Sequence, residues 1–279
     1  MKGRTCVVTG ATSGIGKETA RALAALGADV LLVSRDAAKL QATAAEIGAA
    51  GSVRCDFGRL ASIRAAAEEV RHGRDEIHVL VLNAGAMHAT RKASSDGHEL
   101  TFATNHLGYF LFARLLLPRL ELAGRSDRKA RIVVVASHAH RRGRIDFQDP
   151  MYDERPYDAF DAYAQSKLCN VVFTYELSRR LEGKNVTANC LHPGVVATGF
   201  GRNDPGWIRF ALGLARPFLR TPADGARASI RLATAEELEG VTGTYFGPEG
   251  EPAKSSPASL DPVTHRRLWE LSERLTGLR

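Results

Sequence analysis

A short β-rich run, Arg4 to Thr9, stops at Gly10, and a turn Gly10-Ala11-Thr12-Ser13-Gly14-Ile15-Gly16 leads straight into the helix formers Lys17 to Leu23. Few architectures accommodate that order. Gly10 permits a tight turn, while Gly14 and Gly16 let backbone and helix approach a bound group closely. The N–H groups and positive dipole end of a helix N-terminus then suit a phosphate. Strand, glycine-rich turn and helix together are the context that a dinucleotide-binding loop requires. The spacing is Gly-x-x-x-Gly-x-Gly and not the commoner Gly-x-Gly-x-x-Gly, and a glycine turn with no ligand is the plain alternative.

The same alternation continues downstream. Asp29 to Ser34 reads as a second strand, Ser52 to Cys55 as a third, Ile77 to Leu82 as a fourth, Ile132 to Ala136 as a fifth and Val186 to Leu191 as a sixth. The fifth is almost wholly apolar, which suits a strand covered on both faces. Gly97 to Leu122 carries Leu100, Phe102, Leu107, Phe110, Leu111 and Leu115 at helical spacing and reads as one long buried helix. Asn105 lies inside it, where an amide needs a specific partner. Gly225 to Ala235 and Pro262 to Leu275 read as late helices. The repeated order predicts an α/β fold, a doubly wound parallel sheet of about seven strands with helices on both faces. No Gly/Ser-rich or charged linker divides residues 1–279, so a single domain is expected.

Open sheets of this kind bind ligands at the carboxyl ends of their strands. There the chain places Ser34-Arg35, Asp56-Phe57, Asn83-Ala84-Gly85, Ser137 and His192-Pro193-Gly194, with Thr198 shortly after. An acid about 20 residues past the glycines would accept a ribose 2′-OH. Arg35 stands there instead, and a guanidinium suits a 2′-phosphate. Asp36 is a candidate N-cap for the next helix, and Lys17 is expected to add positive charge nearby. NADP(H) is therefore expected over NAD(H). Asp56 is a candidate acceptor for an adenine amino group, and Asn83, Ala84 and Gly85 for close backbone approach.

Tyr163 and Lys167 stand four residues apart ahead of an apolar-rich run, so a helix would put them on one face. A phenol with its ordinary pKa of about 10 is a poor base near neutrality, and a neighbouring cation favours the phenolate. Acid/base chemistry near pH 7 needs that shift. The spacing alone decides little, because Tyr175 and Arg179 repeat it on the same predicted helix. Position gives the pair its weight: it follows strand five and Ser137 and precedes Pro193-Gly194.

Composition excludes several classes. Apolar content of 44% and charged content of 25% are ordinary for a globular protein. The net charge of +7 is spread along the chain, densest at His138 to Arg144 without interleaved aromatics, so no nucleic-acid partner is expected. Cys6, Cys55, Cys169 and Cys190 form no metal-ligand or disulfide-like spacing, which suits a reducing, cytoplasmic setting. No apolar run approaches the ~20 residues of a membrane span. The first strand begins close to Met1, so no signal peptide is expected. His88, His138, His140 and His192 have no metal spacing and read as surface or loop histidines; no metal is expected.

In combination these motifs resemble the short-chain dehydrogenase/reductase family over residues 4 to 248, and within it the retinol dehydrogenase-like branch. The matching stretches are Thr104-Asn105-His106-Leu107-Gly108-Tyr109-Phe110, Ser137-His138-Ala139-His140, Ser166-Lys167-Leu168-Cys169-Asn170, Leu191-His192-Pro193-Gly194 and Gly243-Thr244-Tyr245-Phe246. The resemblance implies a Rossmann-type fold. It makes Tyr163 the proton donor or acceptor for the substrate oxygen and gives Lys167 to that pKa and to the nicotinamide ribose. Ser137 would polarise the carbonyl, and Asn105 would position a water in the proton relay. Cofactor contacts are implied for Gly10, Thr12, Ser13, Gly14, Ile15 and Gly16, for Arg35, Asp56, Phe57, Asn83, Ala84 and Gly85, and for Tyr163, Lys167, Pro193, Gly194, Val196 and Thr198. Two departures stand out. Ala136 replaces a serine that relatives often carry before the catalytic one, and the N-terminal membrane-anchoring segment of many retinol dehydrogenases has no counterpart.

The activity expected is NADP(H)-dependent interconversion of a small hydrophobic alcohol and its aldehyde or ketone. The aromatic-rich segment at about 200–220, with Trp207, Phe210 and Phe218, reads as a lid over a bulky substrate; packing, a subunit contact or a membrane-surface contact are the alternatives. The late helices are candidate contacts in a homo-oligomer. A non-catalytic NADP(H)-binding sensor is a second function class, though it need not keep Asn105, Ser137, Tyr163 and Lys167 together. A sugar-nucleotide epimerase or dehydratase would bring other glycine spacing and a large C-terminal substrate domain.

Overall fold

A computed structural model describes residues 1–196 and 220–278. Its centre is a seven-stranded parallel sheet of β1 (Thr5–Thr9), β2 (Asp29–Ser34), β3 (Gly51–Arg54), β4 (Val79–Leu82), β5 (Ala130–Val135), β6 (Val186–Leu191) and β7 (Tyr245–Phe246). The order across the sheet is β3-β2-β1-β4-β5-β6-β7, with every pair parallel. The chain winds outward from β1 to β3, returns to the other side of β1 as β4, and winds outward again to β7. At that reversal the connections leave in opposite directions, and a crevice opens beyond the carboxyl ends of the strands. The doubly wound sheet is thus the one expected.

Alternate residues of each strand feed two cores, as the period of two requires. Val7, Leu31, Leu80 and Ile132 face the side covered by α3 (Leu60–Gly73), α4 (Gly108–Ala123) and α5 (Ala159–Arg180). Cys6, Val8, Val30, Leu32 and Val81 face the other, covered by α1 (Gly14–Ala25), α2 (Ala37–Ile47) and α6 (Pro222–Thr234). The last helix, α7 (Pro262–Thr276), sets Trp269 against Phe110 and Phe173 on the α4–α5 side.

The segment expected as one helix from Gly97 to Leu122 is different. Glu99 accepts from the amides of Thr101 and Phe102 at 2.8 and 2.7 Å and starts a short turn, Leu100–Phe102. A π-helical turn, Ala103–Leu107, follows and runs into α4. Wide turns of this type recur at functional sites, and Asn105 sits in this one. Ile77, expected in β4, instead donates its amide to the Arg119 carbonyl at 3.1 Å. No described helix is long and apolar enough to cross a membrane. Thr198 and all but the last residue of the expected lid lie outside the described residues; Arg220 bridges to Val196.

Candidate active site

A crevice of about 1790 Å³ opens at the carboxyl ends of β1, β2, β4 and β5. That exceeds the few hundred Å³ of an ordinary ligand pocket and leaves room for a dinucleotide and a second molecule. Thr12, Ser13, Gly14 and Ile15 form one wall. Side chains or neighbouring carboxylates cap five of the other helices: Asp36 caps α2, Asp158 α5, Thr221 α6 and Asp261 α7, while Asp96 accepts from Leu60 at the start of α3; α4 continues from the π-helical turn. Ser13 makes no such bond at α1, and that helix has no acid in its first turn. Its N–H groups and positive end therefore face the crevice, which fits a pyrophosphate.

Two glycines keep this wall close to β4. Gly10 has φ +65°, and a Cβ on it would lie 2.8 Å from Ala84 Cα. Gly16 does not line the crevice; a Cβ there would lie 2.3 Å from Asn83 Nδ2 and 2.5 Å from the Gly10 carbonyl oxygen. Gly16 thus has a packing role beneath the loop. Thr9, which the sequence reading passed over, ties the junction. Its hydroxyl accepts from the amides of Asn83 and Ala84 at 2.8 and 3.0 Å and donates to the Val81 carbonyl at 3.2 Å. A polar residue in an apolar strand was the available signal.

At the far end Arg35 borders the crevice, and Thr12 and Ser34 share a hydrogen bond of 3.0 Å. Asp36 points its carboxylate to its own helix, accepting from the Lys39 amide at 3.1 Å. Lys17, expected to add charge here, instead pairs with Glu46 at 2.7 Å. Asp56 and Phe57 line the crevice, and Asp56 accepts from the Gly58 amide at 3.0 Å. Pro193, Gly194 and Val196 line its opposite rim. A roof the sequence did not reveal, residues 86–95, includes Ala86, Met87, His88 and Lys92. It lacks periodicity and is held by the Tyr157 hydroxyl donating to the His88 carbonyl at 3.0 Å.

Ser137, Tyr163 and Lys167 meet between these ends, all on the crevice. Ser137 stands just past β5 and its hydroxyl bonds with that of Tyr163. Lys167 is buried, donates to the Val135 carbonyl at 3.0 Å and lies 5.7 Å from the centre of the Tyr163 ring. The ammonium was expected to lower the phenol's pKa. Burial dominates instead: it pushes Tyr163 up to about 12, against a lowering by the Ser137 hydrogen bond. It also lowers Lys167 to about 7. Tyr175 and Arg179 do not form a similar pair, for Tyr175 bonds with Ser255 at 2.7 Å and Arg179 with Glu176.

Asn105 is fully buried and does not line the crevice. Its Oδ1 accepts from the Ala86 amide at 2.8 Å, and its Nδ2 donates to the Ala86 carbonyl and to Ser166 Oγ, both at 2.9 Å. Ser166 in turn donates to the Tyr163 carbonyl at 2.7 Å. The side chain thus fixes the end of β4 to the tyrosine's turn of α5. Gly85 joins the cluster, since a Cβ on it would lie 3.6 Å from Lys167 Nζ. His140, expected to be a surface or loop histidine, lies in the connection after β5 but is wholly buried. His138 and His192 form an edge-to-face pair at 5.4 Å. No group of metal ligands occurs among the described residues.

An uncapped helix over a glycine turn, with a phenol, a hydroxyl and a buried amine beside it, defines the class of nicotinamide-dinucleotide oxidoreductases. Comparison with known proteins gives the family. The short chain dehydrogenase model matches residues 4–208. Over its whole length the chain is 39% identical to retinol dehydrogenase 14 of Mus musculus, covering 87% of that protein. It is 40% identical to retinol dehydrogenase 12 of Homo sapiens, covering 88%. A solved structure from Mycobacterium paratuberculosis, described only as uncharacterised, superposes with a TM-score of 0.79 at 33% identity, over 99% of this chain and 94% of that one. The chain belongs to the short-chain dehydrogenase family, in its retinol dehydrogenase-like branch, and is an oxidoreductase. Nicotinamide cofactors are the family's own.

Proposed function

We propose that this protein is an NADP(H)-dependent reductase and dehydrogenase that interconverts a hydrophobic alcohol and its aldehyde or ketone. The observation that carries the reading is the meeting of Tyr163, Ser137 and Lys167 on the crevice that the α1 N-terminus also faces. The names of its relatives support an alcohol substrate for this chain as well. When bound, the nicotinamide donates or accepts the hydride. A phenol pushed up to about 12 is protonated at neutral pH, so Tyr163 stands ready to give a proton to a carbonyl oxygen being reduced. Ser137 offers a second donor to the same oxygen, where negative charge develops. Lys167 sets a buried amine beside the ring, and Asn105 keeps the tyrosine's turn in register with Gly85.

NADP(H) over NAD(H) is supported by Arg35 on the crevice and by the turning away of Asp36 to cap α2. A cytoplasmic location is supported by four buried, unpaired cysteines. The test is NADPH oxidation followed with a panel of aldehydes, ketones and quinones, repeated with NADH. Turnover of at least one carbonyl, faster with NADPH at equal concentration, is expected. NADPH binding without turnover of any would favour a sensor, and a preference for NADH would sink the assignment of Arg35.

A further inference from the structure

Among the described residues the crevice is lined by six lysine or arginine side chains and a single carboxylate, Asp56. Arg35, Arg59 and Lys92 lie toward the adenosine end, where a phosphorylated dinucleotide uses positive charge, and Lys167 belongs to the catalytic cluster. Arg141 and Arg142 remain. They rise from the 3₁₀ turn His138–Arg142, which starts at Ser137 itself.

In a 3₁₀ turn residues three apart eclipse one another. His138 and Arg141 therefore share one face of the turn and Ala139 and Arg142 the next, and all four line the crevice. His140 points the other way and pins the turn. Its Nδ1 donates to the Ser137 carbonyl at 2.7 Å, its Nε2 accepts from the Ser256 amide at 3.0 Å, and its ring packs on Tyr245 at 4.9 Å. Arg141 donates to the Lys254 carbonyl, which fixes its guanidinium. Among the described residues neither arginine pairs with a carboxylate. Three acids of the neighbouring loop are engaged elsewhere: Asp146 and Asp149 with Arg155, and Asp153 with Arg91.

We infer that the substrate is a hydrophobic carbonyl compound bearing an anionic group remote from the reacting carbon, received by Arg141 and Arg142. This rests on the oxidoreductase reading above. The two backbones lie about 8–10 Å along the turn from Ser137, at roughly 2 Å per residue. A chain of several methylenes bridges that distance, its carbonyl at Ser137 and Tyr163 and its anion at the guanidinium groups. Planar guanidinium groups suit both carboxylate and phosphate. The rigid turn holds them in place before substrate arrives, so little ordering is lost on binding.

The test compares three aldehydes of equal chain length, ending in a methyl, a carboxylate or a phosphate monoester, with NADPH as reductant. At low salt at least one anionic substrate should exceed the methyl compound in kcat/KM by about tenfold, and salt near 0.5 M should shrink that ratio. The larger ratio names the anion. Replacing both arginines, Arg141→Ala with Arg142→Ala, should remove the advantage through KM, while the methyl aldehyde changes less than about threefold. Arg141→Lys with Arg142→Lys should keep part of it. Equal kcat/KM for all three aldehydes, or an advantage that survives the alanine pair, overturns the inference and leaves the oxidoreductase reading standing. Binding of NADPH without reduction of any aldehyde, ketone or quinone overturns both.

Discussion

Replacing Gly16 by alanine tests how tightly the glycine turn is built against β4. The new Cβ would lie 2.3 Å from Asn83 Nδ2, 2.5 Å from the Gly10 carbonyl oxygen and 3.0 Å from the Gly10 carbonyl carbon. Ordinary carbon contacts begin near 3.5 Å, so something must move by about 1 Å. Asn83 cannot retreat freely, because its Nδ2 donates to the Thr9 carbonyl at 2.9 Å. Overpacking of this kind costs about 1–3 kcal/mol, and a lost hydrogen bond adds about 1 kcal/mol. For a chain of this size the total corresponds to a fall in Tm of roughly 3–7 °C. The affinity for NADPH should fall as well, since the displaced backbone is the one proposed to face the pyrophosphate. Gly73→Ala is the matched control, for nothing lies within 4 Å of its Cβ at the end of α3, and alanine there should stabilise by up to about 1 kcal/mol. Thermal unfolding by circular dichroism and titration of NADPH fluorescence read both effects. A Gly16→Ala protein that melts within about 1 °C of wild type and binds NADPH equally well would refute the reasoning.

Other outcomes follow from the catalytic cluster. Tyr163→Phe should keep NADPH binding and lower kcat by about 10²–10⁴, whereas Ser137→Ala should lower it by about 10²–10³; single-turnover assays at saturating NADPH would detect residual activity that contradicts either. Lys167, lowered to about 7 from its ordinary 10.5, gives the ligand-free protein a pH signature. Between those values the unfolded chain binds a proton that the folded chain does not, so this group makes stability rise with pH. Wild type should thus gain stability relative to Lys167→Met from pH 7 to pH 10 in urea titrations, and parallel profiles would disprove the depressed pKa. Arg35→Asp should raise the Kd of NADPH by about tenfold or more and leave that of NADH unchanged or lower, as measured by fluorescence titration.

The sheet was legible because apolar runs and glycines repeat along the chain with little ambiguity, and the crevice gathers most of the residues singled out. The remainder depended on partners distant in sequence. Thr9 looks like one more strand residue until Asn83 and Ala84 arrive above it. Asn105 was conspicuous as an amide in an apolar helix, but nothing local indicates that Ala86 and Ser166 take up its hydrogen bonds. His140 passed for a surface residue because Tyr245 and Ser256, which bury it, lie more than a hundred residues on. The pKa of Tyr163 was misjudged for a related reason. Spacing reveals that a lysine is near, but desolvation is set by the whole surround.

The π-helical turn at Ala103–Leu107 separates the demands of the core from those of the site. Such a turn carries one residue more than an α-helix needs for the same span, and it does so at nearly the same total rotation, because each residue of a wider turn advances by less than the roughly 100° of an α-helix. Deleting one residue within it would let the chain relax into a regular helix of nearly the same length and phase. Phe102 on one side and Phe110 and Leu111 on the other would then keep their neighbours. What would be lost is a position inside the turn, where Asn105 holds Ala86 and Ser166. A deletion within α4 would instead turn its two parts by about 100° relative to each other and break the core.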